Sequence, residues 1–106
     1  MPESSDTPVL DLLAGMTQAS IAASSLDSET LMIARLAALV AVDAPAVSYL
    51  DNLEAGADVG VDADRGRGVL TAIAPIVGTA RVAAATGRIA EALVIELETA
   101  ELEARE

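Results

Sequence analysis

The sequence predicts an all-α protein, a single-domain bundle of about five helices whose copies assemble through their surfaces. Three observations lead there. Apolar residues recur at spacings of three and four, proline, glycine and capping aspartates divide the chain at regular intervals, and alanine fills 23 of the 106 positions. Alanine favours helix and allows close helix packing. With one aromatic residue, Tyr49, the core lacks the large buried area that aromatic side chains supply. Burial between subunits is the expected supplement.

Residues 1–7 are rich in Ser, Asp and Pro without apolar periodicity and read as a disordered leader, leaving 8–106 as one helical domain. Thr7 stands at a cap position and Pro8 at the first helical position, followed by Val9, Leu10, Leu12, Leu13 and Met16 in a short amphipathic helix that fades near Ser20. Ser25 to Glu29 offers capping oxygens and first-turn acids before an apolar run from Leu31 to Val42, which Asp43 and Pro45 end. That run holds one charge, Arg35, and is too short for a membrane span, which needs about 20 residues. A third helix from Ala46 to about Ala57 is expected to turn Val47, Leu50 and Leu53 inward and Asp51 and Glu54 outward.

The turn Gly56 to Asp62 leads to a fourth helix, capped by Asp62 or Asp64, with Val69, Leu70, Ile73 and Val77 on its apolar side. Gly66 and Gly68 weaken its first turns by about 1 kcal/mol each relative to Ala, and Pro75 predicts a kink or a stop. The final helix is expected from about 79 to 104, on a stripe of Val82, Ala85, Ile89, Leu93, Leu97, Ala100 and Ala104. Val94, Ile95 and Leu102 lie off that stripe, so a second apolar strip is expected to face another subunit.

Seventeen acidic residues against six arginines and no lysine give a net charge of −11, which repels nucleic-acid phosphates and anionic membrane surfaces. Neither is an expected partner. The chain has no cysteine and no histidine, which excludes thiol chemistry, histidine general bases, zinc sites built on those ligands and disulfide exchange. Asp58, Asp62 and Asp64 do not form a calcium loop, because a loop starting at Asp62 would place its ligands at Gly66 and Ile73. Gly66-Arg67-Gly68 lacks the preceding strand and third glycine of a dinucleotide fingerprint. No metal and no cofactor is expected. The acidic, polar N-terminus is unlike a secretory signal, so the cytoplasm is the expected location.

Arg35 is the most informative residue. A guanidinium on an apolar helix must find a partner or reach water, and no acid lies three or four positions away. Its ordinary role is an ion pair across helices or subunits; the alternative is that it faces an internal pocket and holds a small anionic ligand. Ser48, Tyr49 and Asn52 form a polar patch early in the third helix, where surface or interface packing with a wetted hydroxyl is the ordinary role for Tyr49. Asp43 and Asp51 are the carboxylates nearest to that patch in sequence.

Leu26-Asp27, the apolar helix to Val42, the turn Asp43-Ala44-Pro45, the turn from Ala55 to Asp62 and the run Ala74-Pro75-Ile76-Val77-Gly78-Thr79-Ala80-Arg81-Val82 together resemble the carboxymuconolactone decarboxylase family, over about residues 20–95. That family includes alkylhydroperoxidase D-like proteins. The resemblance implies an all-α fold assembled as trimers or hexamers. Redox members carry C-x-x-C-x-x-x-H before a glycine turn, with a glutamate on the preceding helix. Counted back from Gly60, those positions hold Pro45, Ser48 and Asn52; counted from Gly56 they hold Ala41, Ala44 and Ser48. The glutamate falls near Met32 or Ile33. On either count the family's peroxidase and decarboxylase residues are missing.

Two functions follow as expectations. The first is a non-redox, homo-oligomeric structural or binding protein. The alternative is a cofactor-free enzyme on a small carboxylate or lactone, with Arg35 binding the anion, Ser48, Tyr49 or Asn52 handling protons, and Asp43 or Asp51 as base. A basic protein partner for the glutamate-rich end, Glu91 to Glu106, is a third possibility that a solvated helix face explains as well.

Overall fold

Five helices and no strand make up the described residues. The computed structural model describes residues 6–104, apart from the side chains at 96, 97, 99, 100 and 104. The expected leader therefore lies outside the described residues over 1–5, as do the side chains of Glu96, Leu97, Ala100 and Ala104 and all of Glu106. Helix α1 spans Pro8–Ala23, α2 Ser28–Ala41, α3 Ala46–Asp58, α4 Ala63–Val77 and α5 Thr79–Ala104.

Local chemistry explains the boundaries. Pro8 opens α1, which continues to Ala23 instead of fading at Ser20. Asp27 caps α2 by accepting from the Thr30 N–H at 2.8 Å, and Asp62 caps α4 by accepting from the Arg65 N–H at 2.9 Å. Hydrogen bonds from the Thr30 backbone and hydroxyl hold the Asp27 carboxyl below its ordinary value of 3.8. Pro75 sits inside α4, and the helix runs two residues past it before Gly78, at φ 90°, turns the chain into α5.

Helices α2 and α3 end in the same way. After α3, Gly60 at φ 98° donates to the Ala57 carbonyl at 3.3 Å, and Val61 donates to Gly56 at 2.8 Å. After α2, Asp43 at φ 55° donates to Val40 at 3.1 Å, and Ala44 donates to Leu39 at 3.0 Å. Both are Schellman closures. The second places aspartate where glycine is usual, a position that aspartate tolerates better than most L-residues.

Further carbonyls at this end of α2 are satisfied from α5. Arg81 donates to the Ala41 carbonyl, while Arg88 Nη1 donates to Ala44 at 2.8 Å and Asp43 at 3.2 Å. Arg88 also lies 3.4 Å from the Asp43 carboxylate. At the other end of α2, Arg65 of α4 pairs with Glu29.

The core is small. Leu36, Val40, Ala44, Ala46, Tyr49, Val69, Ala85 and Ala92 form one buried cluster, with Leu50, Leu53, Leu70, Ile73, Val77 and Ile89 half-buried against it. Helix α2 packs on α3, α4 and α5, and α3 packs most extensively on α5. Two inward assignments from the sequence fail. Val47 is 66 % exposed and Leu93 45 % exposed, because the packed side of α3 runs through Ala46 and Tyr49 and that of α5 through Ala85 and Ala92. Among the described residues no helix is long and apolar enough to cross a membrane.

Tyr49 corrects a further expectation. Its ring and hydroxyl are fully buried, and the hydroxyl has no hydrogen-bond partner among the described residues. Removing an unsatisfied buried group recovers its desolvation cost, so Tyr49→Phe is expected to stabilise the protein by about 1 kcal/mol, read as a raised urea midpoint. Burial, with Asp43 adding to it and Arg88 opposing, raises the phenol above its ordinary 10.0. The folded state thus holds this proton more tightly. Stability from Tyr49 is full below pH 10.0 and is lost as pH rises towards the higher folded value. Denaturation curves between pH 9 and about 11.5 are expected to show that loss in the wild type and not in Tyr49→Phe.

The carbonyl bonds of Arg88 generate a second test. Arg88→Gln is expected to cost about 1–3 kcal/mol. Asp43→Asn, which removes only a partly exposed ion pair, is expected to cost under about 1 kcal/mol.

Candidate functional site

Helical periodicity puts Met32, Arg35, Ala38 and Leu39 on one side of α2 and Ser48, Asp51, Asn52 and Ala55 on one side of α3. These two sides, with Leu10, Leu13, Ala14, Thr17 and Ile21 of α1, line an open groove of about 600 Å³. That volume falls within the range of small-ligand sites, roughly 300–1,000 Å³. Its walls are mostly aliphatic, and its polar groups, apart from Thr17 of α1, lie on α2 and α3.

Arg35 is half-buried in this groove. Its Nε donates to Asn52 Oδ1 at 3.3 Å, and Asn52 Nδ2 donates to the Met32 carbonyl at 3.4 Å. Within the chain no ion pair across helices is formed: among the described residues no carboxylate lies within 4.0 Å of the guanidinium, and an amide serves as its partner. Four of its five N–H donors are left for water or a ligand. Asp51 lines the same groove but is exposed and makes no ion pair with Arg35.

The sequence candidates therefore divide. Arg35, Ser48, Asp51 and Asn52 share the groove. Tyr49, one position from Ser48, points into the core on the other side of α3 and cannot touch a ligand there. Asp43 lies at the α2–α3 turn beside Arg88, outside the groove lining, so it is no base for chemistry in the groove. What remains can bind and orient an anion, with Asp51 the one carboxylate of the lining that could act as a base. Among the described residues no group of three acidic side chains converges to hold a metal ion.

Sequence reasoning missed the groove wall supplied by α1 and the roles of Arg81 and Arg88. For the arginines a signal existed: they are seven residues apart, and so share one side of an otherwise alanine-rich half-helix. For α1, periodicity marked an apolar side without saying what it covers.

No protein family, curated protein or solved structure matches this chain.

Proposed function

We propose that this chain is a non-redox binding protein that works as a homo-oligomer, joined through the outward sides of α1 and α5. The observation that carries this reading is α1 itself. No residue of this 16-residue helix is buried, although it presents apolar side chains on two sides. Leu10, Leu13 and Ile21 line the groove and are themselves 64 %, 49 % and 43 % exposed, while Val9, Leu12 and Met16, at 67 %, 64 % and 57 %, lie outside it. A helix of this length has marginal stability alone and needs an apolar neighbour.

Two further features support the reading. On α5, Leu93, Val94, Ile95 and Leu102 are likewise exposed. An apolar trough between α2 and α4, lined by small residues including Ala34, Ala37, Gly68 and Ala72, gives a neighbour's helix a place to approach closely. Three or six subunits is the number implied by the resemblance to carboxymuconolactone decarboxylase-like proteins. The missing cysteines and histidine, which exclude thiol peroxidase chemistry, support the non-redox reading.

Native mass spectrometry of the wild type is expected to give a trimer or hexamer, and the double variant Leu12→Glu, Met16→Glu a smaller species. A monomer at every concentration tested overturns the assembly. Hydroperoxide turnover with a thiol donor, surviving repurification, overturns the non-redox role.

A further inference from the structure

We infer that the groove between α1, α2 and α3 binds a small amphipathic monocarboxylate, with its head group on Arg35 and its apolar chain against Leu13, Ile21 and Leu39. This names the ligand of the binding role proposed above and does not depend on the subunit number.

The inference begins with the charge that the fold leaves unmatched. A half-buried guanidinium in an apolar wall is costly unless an anion or water meets its donors. Arg35 uses one donor on Asn52, and its terminal nitrogens have no acceptor among the described residues. Asn52 is held in turn by the Met32 carbonyl, so the guanidinium is oriented before any ligand arrives. A fixed planar fork of this kind suits the two oxygens of a carboxylate. Ser48 adds a hydroxyl to the same groove.

Charge also limits the ligand. The groove lining holds one cation and one anion, Arg35 and Asp51, in a chain of net charge −11. A phosphate dianion would meet more repulsion than one arginine offsets, whereas a single carboxylate matches a single guanidinium. The aliphatic residues around it select an apolar tail over a second polar group.

Isothermal titration with octanoate, octan-1-ol and octylammonium tests the assignment on the full-length protein. Octanoate is expected to bind saturably, one molecule per chain, about tenfold or more tighter than the alcohol or the amine. Arg35→Gln, verified as folded by circular dichroism, is expected to reduce octanoate to the affinity of octan-1-ol. Asp51→Asn, a change at an exposed position, is expected to tighten octanoate by about twofold, since it removes a repulsive charge.

Equal binding of octanoate and octan-1-ol overturns the proposal. So does absence of saturation, an unchanged affinity in folded Arg35→Gln, or weaker binding in Asp51→Asn. Octanoate binding that emerges only in the Leu12→Glu, Met16→Glu variant also overturns it, because a second copy then covers the groove in the assembled protein. Mass spectra recorded on the same samples report the subunit number separately, so loss of ligand binding and loss of assembly are told apart.

Discussion

Arg88 ties the long final helix to the turn between α2 and α3, and the rest of the packing depends on that tie. The turn exposes carbonyls at the negative end of α2, where a cation is favoured both by the hydrogen bonds and by the helix dipole. Arg88 bonds two of them and Arg81 a third. With α5 held there, Tyr49 is enclosed beside the small side chains of Ala44, Ala46, Ala85 and Ala92. A core with so many alanines gains little from each residue, so correct helix placement matters more than in a leucine-rich core. The buried hydroxyl of Tyr49, unpaired among the described residues, is a cost accepted at the centre of that arrangement.

Economy in the core has a counterpart on the surface. Apolar side chains that a larger domain would enclose stand out on α1 and α5. The two sides of α1 have different neighbours: one looks across the groove to Arg35 and the other faces away from the chain. On the proposed reading, self-assembly and ligand binding use separate sides of one helix, which lets either be altered without the other. The groove itself shows how an isolated charge acquires meaning. On an apolar helix Arg35 looks like half of an ion pair, but Asn52 engages only its Nε, and among the described residues no acceptor meets the remaining donors.

Much of the fold was legible because helix starts and stops are local chemistry. Asp27 and Asp62 cap, Pro8 opens, and Gly60 and Gly78 turn the chain, all through groups within a few residues of each other. The errors are also instructive. Residue type points Val47 inward and the spacing of three and four points Leu93 inward, but helix orientation in the bundle follows Tyr49 and the small residues that allow α3 and α5 to approach. The site was legible in part: Arg35, Ser48, Asp51 and Asn52 were candidates from the sequence, and they do meet. Tyr49 and Asp43 were grouped with them by proximity along the chain, although neighbouring positions on a helix face different directions.

By itself the sequence determined the helical class, the approximate positions of the helices, the exclusion of thiol and histidine chemistry, and the presence of one isolated cation on an apolar helix. These are consequences of composition and of interactions within a single turn. Only the tertiary structure decided that Arg35 bonds an amide and lines a groove, that Tyr49 is core, that Arg81 and Arg88 hold the end of α2, and that α1 remains unburied. Each depends on the rotation of one helix about its axis relative to another. That rotation is set by packing between residues up to 45 positions apart, which no local pattern encodes.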